Sequence, residues 1–288
     1  MPSINPLTLR SDSEFSRIDK YTLPLSASLR LRIYSDTRPF TWKTADLQKG
    51  LIFVCNGEEM VGEGTGFGVP VLKYLDDTYF SGSAHVYLSR QENLMVIRKD
   101  FFMDKITRNT FRNVRLENGK LRAILRYMSE LYQNHKHLRF LLLKKMSMRM
   151  GVHATFAKAT SVGKVIVTYN IGQGHIHVKA DFSSLKRENL QKILMLNEQG
   201  SRFFRRYIDS NDTKLANGQI GAWDPTEAEW ASITDVQGIF GFRLDRKENS
   251  ILRRGREFLE GGLDWVGLNY EINPKNAAFE YKIEVLEA

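Results

Sequence analysis

The 288-residue chain reads as mainly β: a large antiparallel β-sandwich with a basic helical insertion around 120–144. Three observations carry that expectation. Apolar and polar residues alternate with period two on both sides of the insertion. Turn signals at Asp76-Asp77, Asn118-Gly119 and Gly172-Gln173-Gly174 separate the alternating runs. Only one stretch, Leu121 to Tyr132, switches to a spacing of three and four. The simplest organisation is a single domain over 1–288. The alternative is two β domains, 1–118 and 145–288, joined by the helical segment.

Taken in order, "SLRLRIYSD" alternates Leu29, Leu31 and Ile33 with Arg30, Arg32 and Tyr34. "LIFVC" reads as a fully buried strand that holds the single cysteine, Cys55, which has no partner for an internal disulfide. "VLKYL", "YFSGSAHVYLS" and "LMVIRKDFF" follow as strands. In "KLRAILRYMSELYQ", Leu121, Ile124, Leu125, Met128, Leu131 and Tyr132 form one apolar stripe, with Lys120, Arg122 and Arg126 off it. "KMSMRMGVHATFA" returns to alternation. "GKVIVTYNI" and "HIHVKADFS" form a hairpin, with Ile176, Val178, Ala180 and Phe182 inward and His175, His177 and Lys179 solvated. "SLKRENLQKILMLNEQG" shows helical features early, with Ser184 as a cap, although "KILML" also fits a strand. "IFGFRLD", "WVGLNYEI" and "FEYKIEVLEA" close the chain as strands rich in aromatic and β-branched residues.

Charge is unevenly spread. Between Arg90 and Met150 there are 15 basic and 5 acidic residues, an excess of +10 against +9 for the whole chain. Such a segment attracts anions, whether sugar acids, phosphates, nucleic acid or lipid head groups. The N-terminal residues lack the basic start and apolar stretch of a secretory leader. No run has the length of a membrane span. The chain is therefore expected to be cytoplasmic, without a transmembrane segment.

The stretch "GEGTGFGVP", from Gly62 to Pro70, fits neither the dinucleotide fingerprint nor a P-loop, because its third glycine is misplaced and no Gly-Lys-Ser/Thr follows. Alternate glycines strip one strand face of side chains. That leaves two readings: a structural bend, or a strand facing a flat ligand lined by Glu63 and Phe67. His85 and His153 are candidate acid/base groups, since imidazole titrates near neutrality. Glu198 in "LNEQG" and Glu257 in "RRGREF" are, with Glu63, candidate carboxylate partners. Trp223 and Asp224 in "GAWDP", Arg254, Arg256, and Asp264 with Trp265 in "LDWVG" complete a substrate-binding set. Aromatic rings stack on sugar faces while carboxylates and guanidinium groups bond hydroxyls. No cofactor or metal is predicted, because Lys179 opposes a cation beside His175 and His177. No nucleic-acid module and no Gly-x-Ser-x-Gly elbow is present.

The Gly-x-Pro turn before "VLKY", the strand pair "VIVTYNI" and "HIHVKADFSSL", and "ILRRGREF" followed by "LNYEI" together resemble the galactose-mutarotase-like supersandwich over most of the chain. The resemblance implies a carbohydrate-active or carbohydrate-binding protein: an epimerase, lyase or hydrolase, here on an anionic sugar. The family's catalytic histidine and glutamate contexts have no counterpart here, so no catalytic residue is carried over. The basic segment departs from the simple epimerase pattern. It supports an alternative: a non-enzymatic binding protein using residues 90–150 for nucleic acid, an acidic partner or a membrane surface.

Overall fold

A computed structural model describes residues 15–26, 28–35, 48–62, 64–75, 77–91, 94–109, 155–172, 174–259 and 263–287. The strands are, in chain order, β1 (Ser16–Ile18), β2 (Lys20–Pro24), β3 (Leu29–Tyr34), β4 (Ile52–Cys55), β5 (Glu58–Glu59), β6 (Gly66–Tyr74), β7 (Thr78–Gln91), β8 (Leu94–Asn109), β9 (Thr155–Gly172) and β10 (His175–Asp181). They continue as β11 (Leu190–Gly200), β12 (Arg206–Asp209), β13 (Lys214–Ala216), β14 (Asp224–Pro225), β15 (Trp230–Thr234), β16 (Phe240–Asp245), β17 (Ser250–Leu259), β18 (Leu263–Ile272) and β19 (Ala278–Glu287). The protein is mainly β. Among the described residues, 15 strands join one antiparallel sheet in the order β13-β12-β15-β16-β19-β10-β9-β8-β7-β6-β11-β18-β17-β14, with β1 on β7. A second sheet runs β2-β3-β4-β5.

The described residues contain no α-helix, only a 3-10 turn at Asn217–Gln219. The helix expected around 120–144 lies outside them. The helical features read after Ser184 give no helix. Ser184 Oγ donates to the Lys164 carbonyl, Leu190 N donates to the Arg187 carbonyl, and the chain then enters β11. Asn189, at φ +62°, makes the turn. The strand wins because β11 lies between β6 and β18, so both of its backbone edges are hydrogen-bonded in the sheet. Its burial is nearly continuous from Met195 to Gly200, which hides the period of two.

The alternation read from the sequence elsewhere survives as burial. In β3, Leu29, Leu31 and Ile33 are buried while Arg30 is exposed. In β10, Ile176, Val178 and Ala180 point inward. The hairpin at 172–174 pairs His175 with Gly172. Cys55 is half-buried at the end of β4.

The large sheet folds back on itself. Tyr169 on β9 donates to the Phe67 carbonyl at 2.9 Å, and Tyr281 on β19 donates to Asn197 Oδ1 on β11 at 2.8 Å. Both rings are buried among apolar residues. Burial raises both phenols far above their ordinary range, so they act only as neutral donors. The small sheet closes one end of this core. Phe53 on β4 packs edge-on against Phe67 at 4.8 Å and against Phe240 at 5.0 Å, while Phe67 also meets Phe242 at 5.0 Å. Such edge-to-face pairs add roughly 0.5–1.5 kcal/mol each beyond the burial itself.

The glycine stretch resolves into the structural reading. Gly68 has φ +75°, and a Cβ there would lie 2.8 Å from the Tyr169 hydroxyl. Its backbone N–H donates to Asn197 Oδ1 at 3.1 Å. The bare backbone is what lets β6 approach the buried tyrosine and the neighbouring amide.

Candidate functional site

The carboxyl of Glu198 is the most perturbed acid among the described groups. It sits on β11, opposite Gly66 on β6 and Gly267 on β18. Only 5% of the residue is exposed. The Thr65 hydroxyl donates to its Oε2 at 3.0 Å, and Asn269 Nδ2 donates to Oε1 at 3.3 Å. Burial pushes its pKa from 4.5 up to about 7, the Thr65 and Asn269 hydrogen bonds hold the rise back, and the charge of Glu257 adds to it. A carboxyl so tuned is partly protonated at neutral pH and able both to give and to take a proton.

The sheet explains what lies beside it. Glu198 is level with Gly267 on β18, and Gly267 with Gly255 on β17. Two adjacent strands thus present bare backbone where side chains would stand. A Cβ on Gly267 would fall 3.0 Å from Glu198 Cγ, and one on Gly255 would fall 2.5 Å from the Trp223 ring. The indole therefore rests on Gly255. Its Nε1 donates to Glu257 Oε1 at 2.5 Å. Trp223 holds φ +62°, a conformation that strains a bulky side chain and persists only where its surroundings enforce it. Glu257 faces Trp265 across the β17–β18 ladder.

Period two assigns these residues to one face. On β18 that face carries Trp265, Gly267, Asn269 and Glu271, and on β17 it carries Ile251, Arg253, Gly255 and Glu257. Ile251 is 42% exposed, whereas Val266, Leu268, Tyr270 and Leu252 on the other face are buried in the core. The carboxylates thus stand on the face turned away from Val266, Leu268 and Tyr270, the outer face, although Glu198 and Asn269 are themselves buried there. Glu198 and Glu257 are two strand spacings and two residues apart, roughly 12 Å between their Cα positions.

The other sequence-derived candidates fall elsewhere. Phe67 is fully buried in the aromatic core, so it offers no face to a ligand. Arg254 and Arg256 alternate out of register with Glu257 and point to the inner side. There the Arg254 guanidinium lies over the Tyr207 ring at 4.9 Å, with Asp209 at 3.8 Å. Burial works against the Asp209 charge, yet hydrogen bonds from Tyr207, Thr213 and Asn211 hold its pKa below the ordinary value. Arg256 grips Asp264 with two bonds, of 2.8 and 2.5 Å, which withdraws both from the outer face. Asp224 is exposed on β14, paired through its backbone with Arg254. His85 stands on β7 opposite Asp100, its ring 4.9 Å from Phe102, in a region that shares no contact with Glu198 among the described residues. His153 and Glu63 lie outside the described residues.

Thr65 and Asn269, which hold the Glu198 carboxyl, are additions from the structure. Asn269 was within reach of the sequence: Trp265-x-Gly267-x-Asn269 is a period-two run in a strand. Thr65 had no comparable signal, since its role depends on Gly62, Gly64 and Thr65 lying against Glu198 and Gly200 of β11. Among the described residues, no group of three or more His, Cys, Asp or Glu side chains is placed to hold a metal. Nor is any helix there long and apolar enough to cross a membrane.

The fold and site define a mainly β protein in which a buried carboxyl, Glu198, shares one sheet face with Glu257 and with a Trp223 ring that rests on Gly255. No protein-family model matches the chain, and no curated protein matches it. Among solved structures, it is similar to the α-N-acetylgalactosaminidase NagBb of Bifidobacterium bifidum, in a complex with GalNAc, at 10% identity and a TM-score of 0.49. That likeness covers 93% of this chain, which spans 36% of the enzyme. It is also similar to the Slr1438 protein of Synechocystis sp. PCC 6803, at 10% identity and a TM-score of 0.38, over 98% of this chain and 100% of that one.

Proposed function

We propose that the chain is a carbohydrate-active protein that holds a sugar on the outer face of β11, β18 and β17. Glu198 is the acid/base group, Glu257 the second carboxylate, and Trp223 and Trp265 the aromatic surface. The observation that carries this reading is a buried carboxyl of near-neutral pKa within electrostatic range of a second carboxylate that anchors an indole. A pair of carboxyl groups can move protons at a sugar ring, one giving and one taking. A glycine floor beside an indole gives the flat, partly apolar surface that a pyranose ring covers. The reading rests on these side chains and on neither structural neighbour.

The alternative, a non-enzymatic role for the basic 90–150 segment, has less behind it. Residues 110–154 lie outside the described chain. Within the described part, Lys99 is fully buried, donating to the carbonyls of Tyr34 and Lys49, and Arg98 is paired with Asp100 at 2.7 Å.

The test is a saccharide titration followed by tryptophan fluorescence, in the wild-type protein and in Gly255→Ala. The added methyl would occupy the place of the Trp223 ring and lift it from the floor. A saccharide response in the wild type that weakens on the order of tenfold or more in the variant is expected, the size of one lost stacking contact. An unchanged affinity in a folded Gly255→Ala would remove the proposed surface.

A further inference from the structure

The sequence points to an anionic sugar and counts Arg254 and Arg256 among the residues that bind it. Both arginines turn to the other side of the sheet, each beside a carboxylate. On β11, β17 and β18, the charges left on the outer face are Glu198, Glu257, Glu271, Arg253 and Lys192. The two cations are already engaged. Arg253 holds Glu271 at 2.8 Å and donates to the Trp223 carbonyl at 3.0 Å, and Lys192 holds Glu271 at 2.7 Å. On the loop that covers Glu198, Lys49 Nζ is bound by the carbonyls of Gly62 and Gly64. Neither Glu198 nor Glu257 has a cationic side chain within ion-pair distance among the described residues. Their partners are Thr65, Asn269 and the Trp223 N–H, all neutral.

We infer that the site selects saccharides without negative charge, and that Glu257 is the residue that excludes acidic ones. The inference rests on the sugar-site reading above and narrows it to a substrate class. The physical reason is direct. An acidic sugar would place its charge beside a carboxylate that no cation among the described residues pairs with, in a partly dry site where screening is weak. A neutral sugar instead donates hydroxyl hydrogens to the same oxygens. Discrimination then comes from repulsion built against the wrong ligand rather than from extra contacts to the right one. Burial raises the Glu198 pKa first, and the nearby Glu257 charge adds to that rise, in keeping with a negative field at this place.

The experiment is calorimetric titration at pH 8 with paired probes: neutral hexoses and N-acetylhexosamines against the matching uronic acids and hexose phosphates. Each pair is measured on the wild type and on Glu257→Gln, which keeps an oxygen to accept the Trp223 N–H. Neutral sugars are expected to bind at least about tenfold more tightly than their acidic counterparts, with the gap closing in the variant. Acidic sugars binding the wild type as well as neutral ones, or a gap that Glu257→Gln leaves unchanged, would overturn the inference while sparing the sugar site. Binding of no saccharide of either charge would remove the site reading and the inference with it.

Discussion

Replacing Glu198 by glutamine is expected to make the fold more stable above pH 7 and to remove the acid/base group proposed for the site. The folded chain keeps the Glu198 proton up to about pH 7, whereas the unfolded chain releases it near the ordinary value of 4.5. Between those values the folded state binds more protons, so rising pH lowers stability. The penalty is absent below 4.5, grows through the window, and is complete above 7. At pH 8 it amounts to roughly 3 kcal/mol. Glutamine carries no charge to bury. Its amide oxygen can accept from Asn269 as Oε1 does, and its NH₂ can donate to the Thr65 hydroxyl. Denaturant unfolding of both proteins at pH 4 and pH 8 checks this. The variant should match the wild type at the lower pH and exceed it by a few kcal/mol at the higher. Equal stability at both would mean that Glu198 ionises freely and is no acid/base group. A site that costs stability to maintain is what a functional carboxyl looks like.

The second large effect is expected at Gly68. Alanine there must hold φ +75° and place a methyl 2.8 Å from the Tyr169 hydroxyl, whose ring is fully buried. The left-handed backbone alone costs about 1–2 kcal/mol for a residue with a Cβ. Overpacking a closed core adds about 1–3 kcal/mol more. The tyrosine must also shift away from the carbonyls of Phe67 and Gly68 to which it donates. A loss of about 3–5 kcal/mol follows, or a fall in melting temperature of roughly 6–15 °C. Gly57→Ala is the matched control, because Gly57 has φ +85° with nothing within 4 Å of an added Cβ. It should show the backbone cost without the clash. If the two variants lose equally, the close approach of β6 to Tyr169 does not constrain the fold.

These two residues also show how much was legible in advance. Strands with one solvated face announce themselves, as β3 and β10 did, because polar residues must alternate with apolar ones along them. β11 did not, since a strand covered on both faces loses its alternation and can be mistaken for the start of a helix. Residue types at the site were readable, their grouping less so. Arg253, Arg254, Gly255, Arg256 and Glu257 look like one cluster along the chain, yet a strand deals them alternately to opposite faces. That separation turns the expected anion clamp inward and leaves carboxylates and tryptophans outside. Applying the two-residue period to "RRGREF" would have split the set from sequence alone. The strained backbone of Trp223 and the burial of Glu198 beside Gly64 and Thr65 had no such signal, because both arise from contacts between segments far apart in the chain.

The most direct measurement is a pH titration of the Glu198 side-chain carboxyl by ¹³C NMR, assigned by its loss in Glu198→Gln and repeated with a neutral saccharide present. A midpoint near 7 that moves on adding the sugar is the predicted result. A midpoint close to 4.5, or one that no saccharide displaces, would contradict the assignment of this face as the working surface of the protein.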